Sequence, residues 1–142
     1  MPYSLLMSEP VFWRPEHSVN IAELDRQHQN LFRIIQNLHQ AIAAGRGQEV
    51  TAAVLANVVN YTIHHFAAEE NLMHQHGFPG IAAHRIEHNT LTLKISRFQK
   101  EYAEGKADAA ECLLRFLQQW MEEHILKTDK QYVQFFSSRG VV

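Results

Sequence analysis

The sequence has little of what small extracellular domains and nucleic-acid-binding proteins usually contain. It has a single cysteine, Cys112, in 142 residues, which excludes an internal disulfide and suits a reducing compartment. The formal net charge is −2 and the basic residues are scattered, so we expect no nucleic-acid partner. The first residues lack the basic and apolar segments of a signal peptide, and we therefore expect a cytoplasmic protein.

Long apolar runs are also lacking. Residues 50–68 contain no Asp, Glu, Lys or Arg, but they are not uniformly apolar. The polar residues among them are Thr51, Asn57, Asn60, Thr62, His64 and His65. A lipid-exposed helix would not tolerate so many polar groups. We therefore predict no membrane insertion and interpret this segment as a helix buried inside the protein.

Apolar residues recur three or four positions apart in four segments, a spacing typical of amphipathic helices. The segments span about residues 20–44, 48–76, 80–104 and 106–136. Short glycine-containing turns separate them, whereas residues 1–19 show no periodicity and contain three prolines. The pattern predicts one all-α domain over residues 1–142, an antiparallel up-down-up-down four-helix bundle with residues 1–19 as an N-terminal arm.

Histidine is unusually abundant, with ten residues, and five of them fall on inward-facing helix positions. These five are His28, His65, His84, His88 and His124. Glu69 follows His65 by four residues, so the two side chains share one helix face. In an antiparallel bundle all six residues lie near the same end, in one layer. Unpaired polar groups there would each cost a few kcal/mol, and a metal removes that cost by binding their lone pairs.

Asp129 is a further candidate ligand. It follows His124 by five residues, which is about 140° around a regular helix, so the two side chains should not share a face. They can do so if the helix widens to a π turn or ends there. The remaining histidines lie in the arm, too far along a helix, or off the inward faces, and we expect none to be functional. They are His17, His39, His64, His74 and His76.

Five histidines and two carboxylates are too many ligands for one ion. If each carboxylate bridges two ions, the protein fills five plus four positions, and a shared oxo or hydroxo bridge fills two more. One position of two octahedra is then open for a small ligand. Imidazole and carboxylate ligands fit iron, although they do not exclude manganese. The sequence lacks the Glu-x-x-His pairs of carboxylate-rich di-iron bundles, so we expect reversible binding rather than oxygen cleavage.

Four stretches of the sequence together resemble the hemerythrins, in particular the single-domain bacterial hemerythrins. They are Leu24-Asp25-Arg26-Gln27-His28, His65-Phe66-Ala67-Ala68-Glu69-Glu70, His84-x-x-x-His88, and Trp120-Met121-Glu122-Glu123-His124-Ile125 followed by Asp129. The resemblance implies a non-haem centre of two iron ions, oxo- or hydroxo-bridged, that binds O2 reversibly. It implies oxygen transport, storage or delivery to an oxygen-using enzyme, and not an enzyme with catalytic residues of its own.

The resemblance also assigns roles to the ligands. His84, His88 and His124 would hold one iron, and His28 and His65 the iron that binds O2. Glu69 and Asp129 would bridge the two ions.

An apolar O2 pocket would correspond to Leu31, Phe66, Trp120, Met121 and Ile125. Met121 replaces the leucine usual in the family, which keeps the pocket apolar but softer and bears on the rate of autoxidation.

Three other functions fit the same residues. A sensor module would need an attached signalling or DNA-binding domain. We recognise none in this sequence, which makes the sensor hypothesis less favoured. A peroxidase-like or nitric-oxide-handling enzyme would show steady turnover with hydrogen peroxide. An iron store or a purely structural bundle would contain a variable amount of metal or none.

Overall fold

The computed structural model describes residues 11–142 and contains four long helices and no strand within that range. The helices are α1 (Ala22–Ala43), α2 (Gly47–His76), α3 (Ile81–Ala103) and α4 (Ala109–Glu123). Each helix packs against the next, and α4 returns to lie beside α1. The predicted antiparallel four-helix bundle is confirmed.

The turn between α2 and α3 explains how the chain reverses beside the histidines. Gly77 ends α2 with φ +70°, a left-handed conformation that glycine adopts without steric penalty. The N–H of Phe78 donates to the carbonyl of Met73 at 2.9 Å, which closes the turn. Although α2 has 30 residues, no helix within residues 11–142 is both long enough and apolar enough to cross a membrane.

The fourth segment, predicted as one helix over about residues 106–136, is divided into several elements in the structure. α4 runs directly into a π turn, His124–Thr128, and then into a 3-10 turn, Asp129–Tyr132. A short helix, α5 (Val133–Ser137), follows. Each change of helix type alters the rotation per residue, so side chains after Glu123 do not follow the faces of α4.

Two apolar clusters fill the bundle. The larger lies between all four long helices and includes Leu31, Tyr61 and Met121. The smaller contains residues around the start of α1, at the end of α2, in the turn before α3 and in the segment after α4. They are Val19, Ile21, Leu24, Met73, Phe78, Tyr132 and Phe136. On each helix the inward histidines fall near the boundary between these two clusters in sequence; Leu24 and Leu31, for example, flank His28. A polar layer therefore lies where the two clusters meet.

The described part of the arm, residues 11–19, packs along α1, and residues 1–10 lie outside the described residues. The Nε2 of Gln36 donates to the carbonyl of Val11 at 3.0 Å. Trp13 contacts Phe32 edge-on, with the ring centroids 5.4 Å apart. His17 is fully buried against the same phenylalanine. The arm therefore covers part of α1 close to the histidine layer.

Candidate metal centre

The seven residues that the sequence suggests as ligands lie together in the polar layer. None is more than 2% exposed to solvent. They are His28, His65, Glu69, His84, His88, His124 and Asp129. The helices α1, α2 and α3 and the two turns that follow α4 therefore contribute polar side chains to one dry region.

Regular helix geometry places most of these side chains. His65 and Glu69 are one turn apart on α2, as are His84 and His88 on α3. His124 and Asp129 instead stand at the two ends of the π turn. The wider turn brings residues five apart onto one face, and Oδ1 of Asp129 lies 3.0 Å from Nε2 of His124. Of the two alternatives left open by the sequence, the structure has the widened turn.

The donor atoms form two groups. The three-histidine group consists of His84, His88 and His124 with Glu69, and the two-histidine group consists of His28 and His65 with Glu69 and Asp129. Within each group the donor atoms lie within 4.8 Å of one another. Glu69 belongs to both groups, which is the arrangement expected of a bridging carboxylate.

Each carboxylate turns one oxygen toward each group. Oδ1 of Asp129 is 2.9 Å from Nε2 of His84, and Oδ2 is 3.1 Å from Nε2 of His28. Oε1 of Glu69 is 3.0 Å from Nε2 of His88, and Oε2 is 3.3 Å from Nε2 of His65. Asp129 therefore also faces both groups.

The spacing of the donors fits a pair of metal ions. Two donors at right angles, each about 2.1 Å from one ion, are about 3 Å apart. The Nε2 atoms of His28 and His65 are 2.9 Å apart, and the nitrogen–oxygen distances above have similar values. Without metal, many of these atoms have no aligned hydrogen-bond partner within residues 11–142. They are Glu69 Oε1, both oxygens of Asp129, and Nε2 of His84, His88 and His124.

The charges of the layer favour a cation. Burial would raise the pKa of Glu69, but His65 and the other neighbouring imidazoles hold it well below its usual value. Burial and Glu69 oppose ionisation of Asp129, yet His124 and His28 hold its pKa well below the ordinary range. Both carboxylates are therefore ionised in a region with little access to water, and bound cations would offset their charge.

Three candidate ligand histidines donate a hydrogen bond from Nδ1, the ring nitrogen facing away from the layer, to a polar side chain of the preceding helix. The Nδ1–H of His65 donates to Oε1 of Gln27 at 2.6 Å. That of His88 donates to Oε2 of Glu70 at 2.8 Å, and that of His124 to Oε1 of Glu87 at 3.2 Å. Protonation at Nδ1 directs the Nε2 lone pair into the layer.

Sequence reasoning missed these partners and Tyr132, whose hydroxyl donates to Oε2 of Glu69 at 2.6 Å. A signal was present for the first three. Gln27 adjoins His28, Glu70 adjoins Glu69, and Glu87 adjoins His88 in the sequence. A polar neighbour of a ligand on one helix can reach the ligand of the next helix.

The residues suggested for an O2 pocket lie in the larger apolar cluster or against it, beside the polar layer. Leu31, Met121 and Ile125 are at most 1% exposed. Phe66 stacks on His88 with centroids 3.7 Å apart, and Trp120 stacks on His124 at 4.3 Å. The aromatic rings thus cover the three-histidine group on the side of this cluster.

The other histidines do not join the layer. His64 and His74 are exposed, and His39 and His76 are half-buried. Buried His17 lies in the arm, with its Nε2 3.8 Å from Oε1 of Glu122. None of the five belongs to either donor group.

Comparison with known proteins agrees with this geometry. Residues 19–136 match the model of the hemerythrin HHE cation binding domain. A bacteriohemerythrin from Methylococcus capsulatus is 32% identical over 117 residues, which cover 82% of this chain and 88% of that protein. A myohemerythrin from Riftia pachyptila is 29% identical over 91% of this chain and 96% of its own length.

The structural comparison gives the same result. A crystal structure of a hemerythrin carrying a leucine-to-alanine mutation superposes with a TM-score of 0.79 at 30% identity. The match covers 87% of this chain and 95% of that one. The chain therefore belongs to the hemerythrin family, whose members generally bind O2 at a non-haem di-iron centre.

Proposed function

We propose that this chain, as a single domain, binds O2 reversibly at a di-iron centre held by the seven residues of the polar layer. The observation that supports this most directly is the pair of donor groups that share two carboxylates. The iron pair, when bound, supplies the redox-active coordination of O2. The role that follows is oxygen storage, transport or delivery to an oxygen-using enzyme, and the single cysteine suits a cytoplasmic setting.

The donor count supports an O2 position at the two-histidine group. If Glu69 and Asp129 each gave one oxygen to each iron, His84, His88 and His124 would complete a set of five protein donors for one iron. His28 and His65 would complete a set of four for the other, and the open position would fall there. His65 is oriented by the hydrogen bond that its Nδ1–H donates to Gln27, and Glu69 by the one that it accepts from Tyr132, which keeps this arrangement fixed.

The chain's own residues favour release of intact O2. Five neutral imidazoles and two carboxylates stabilise high oxidation states less than a carboxylate-rich set does. The proposed pocket is lined by Leu31, Phe66, Trp120, Met121 and Ile125, and none of these side chains can give up a proton for oxygen cleavage. Leu31, Phe66, Met121 and Ile125 are buried and Trp120 is half-buried, so the lining limits the access of water to a bound ligand.

The test is a visible absorption spectrum of iron-loaded, reduced protein under argon, after exposure to air, and after return to argon. We expect a charge-transfer band that appears with O2 and disappears under argon. A band that appears and persists would contradict reversible binding and would favour the enzyme or sensor functions.

A matched pair of variants locates the site. His65→Ala removes a donor of the two-histidine group, so we expect about one iron less per chain, loss of the O2 band and lower stability, because metal binding contributes to folding. His64→Ala changes the exposed neighbouring residue and should leave iron content and the band unchanged. Unchanged O2 binding in His65→Ala would refute the assignment.

A further inference from the structure

We propose that Gln27, Glu70 and Glu87 make the two metal positions unequal in affinity. The three-histidine position would fill first, and the two-histidine position would lose its ion first. This inference rests on the proposed di-metal site and adds a function for residues outside it. The three side chains act through the ligand histidines, so they are positioning residues.

Both partners at the three-histidine position are carboxylates. Glu70 accepts from Nδ1 of His88 and is itself held by Nε of Arg85 at 3.1 Å. Glu87 accepts from Nδ1 of His124, and the hydroxyl of Thr128 donates to its two oxygens at 3.0 and 2.9 Å. Each carboxylate is therefore fixed by a second donor, and it stays in place behind its histidine.

The partners at the two-histidine position are weaker. His65 has the neutral amide of Gln27 behind it. The Nδ1 of His28 is buried and has no hydrogen-bond partner within residues 11–142. Behind Gln27 lies the carboxylate of Glu23, which accepts from Nε2 of Gln27 at 3.2 Å. Here the negative charge lies one side chain further from the ligand.

This difference acts directly on metal affinity. An imidazole that donates to a carboxylate is more basic at its other nitrogen and binds a metal more tightly. Loss of such a partner typically lowers metal affinity about 10- to 100-fold. The three-histidine position also has one more protein donor. Donor number and outer partners therefore both favour that position, and a form with one ion at His84, His88 and His124 should precede the di-metal form.

The experiment uses Co²⁺, whose visible absorption reports its coordination. Protein loaded with two Co²⁺ is treated with increasing chelator, and metal-free protein is titrated with Co²⁺. For the natural sequence we expect two resolved steps in each direction, with the weaker step at the two-histidine position.

Four variants separate the effect of the outer partners from that of donor number. The double variant Glu23→Gln/Gln27→Glu exchanges amide and carboxylate without changing net charge. It should tighten the weaker step about 10- to 100-fold, and Glu70→Gln or Glu87→Gln should weaken the tighter step by a similar factor. Gln40→Glu adds a charge at an exposed position of α1, about 20 Å along the helix from Gln27, and should change neither step.

The outcomes are distinct. A weaker step that does not tighten in the double variant, or that tightens equally in Gln40→Glu, overturns this inference. Two Co²⁺ bound in one unresolved step also overturn it and leave the proposed O2 binding intact. Fewer than two Co²⁺ per chain in the natural sequence overturn both. A change in the stability of the metal-free variants with both steps unmoved indicates a structural role only.

Discussion

Two buried tyrosines near the polar layer, Tyr61 and Tyr132, differ in whether the hydroxyl has a hydrogen-bond partner. Burial and the nearby carboxylates raise the pKa of Tyr61 and Tyr132 well above the ordinary value, so both hydroxyls stay protonated. Tyr132 donates to Oε2 of Glu69. The hydroxyl of Tyr61 has no partner within residues 11–142, while its ring stacks on His65 with centroids 5.0 Å apart. A buried unpaired hydroxyl opposes folding, whereas a paired one does not.

Substitution by phenylalanine should therefore have opposite effects at the two positions. Tyr132→Phe leaves Glu69 without its donor and should lower the free energy of unfolding by about 1–3 kcal/mol. Tyr61→Phe removes an unpaired group and should leave stability unchanged or raise it. Urea denaturation of both variants in the same metal state measures this. Equal losses would show that the hydroxyl of Tyr61 is also bonded.

The candidate ligands could be predicted at the residue scale, but their outer partners could not. His28, His65, His84, His88 and His124 replace apolar residues in regular inward patterns, so periodicity alone identifies them. Each outer bond joins two helices and depends on how far one helix is shifted along the other. A single sequence contains no measure of that shift, although adjacency to a ligand was a usable signal.

At the scale of elements, the π turn is the feature that a regular helix pattern excludes. Asp129 is about 140° from His124 in an α-helix, yet both face the layer across the segment His124–Thr128. The sequence left a widened turn and a helix end as alternatives. The local residues do not decide between them, because the turn is also fixed by contacts of Asp129 and Thr128 with α1 and α3.

Inserting one alanine between Leu126 and Lys127 tests the turn. The insertion rotates Asp129 by about 100° relative to His124, so we expect loss of bound iron and of the O2 band. An alanine inserted after Gly105, in the exposed turn before α4, should preserve both. Metal analysis and the visible spectrum check the pair. Two irons retained in the first variant would mean that the turn is not needed.

At the scale of the whole molecule, the fold places a charged layer where two apolar clusters meet. The helix pattern predicts the polar layer, because polar residues interrupt every inward face at the same height, but it does not predict the two clusters. It does not predict the 3-10 turn that carries Tyr132 and the packing of α5, since these depend on contacts formed only in the folded chain.

The metal-free protein should lose stability at alkaline pH. Burial would lower the pKa of His84, but Asp129 and Glu69 raise it from 6.5 to about 10, and the pKa of His124 is also raised. Groups with a raised folded pKa stabilise the fold fully below 6.5, and this contribution is lost as the pH rises to about 10.

The melting temperature of metal-free protein should therefore fall between pH 6.5 and about 10. Metal-loaded protein should not show this fall, because metal binds neutral imidazole. At the acid end, the lowered pKa values of Glu69 and Asp129 stabilise the fold above their ordinary values of 4.5 and 3.8, and this is lost as the pH falls further. If the melting temperature fell equally with rising pH in the metal-free and the metal-loaded protein, the assignment of these histidines as metal ligands would be contradicted.

The position of the ligands has a consequence for a chain with one cysteine. His28 and Asp129 are about 100 residues apart, and with metal bound every long helix is tied to the others through the same pair of ions. Such a cross-link restricts the unfolded chain as a set of disulfides does, most strongly for long loops. It needs no oxidising environment and it can be undone by a chelator. The metal pair would thus act as a reversible cross-link between the helices of the whole bundle.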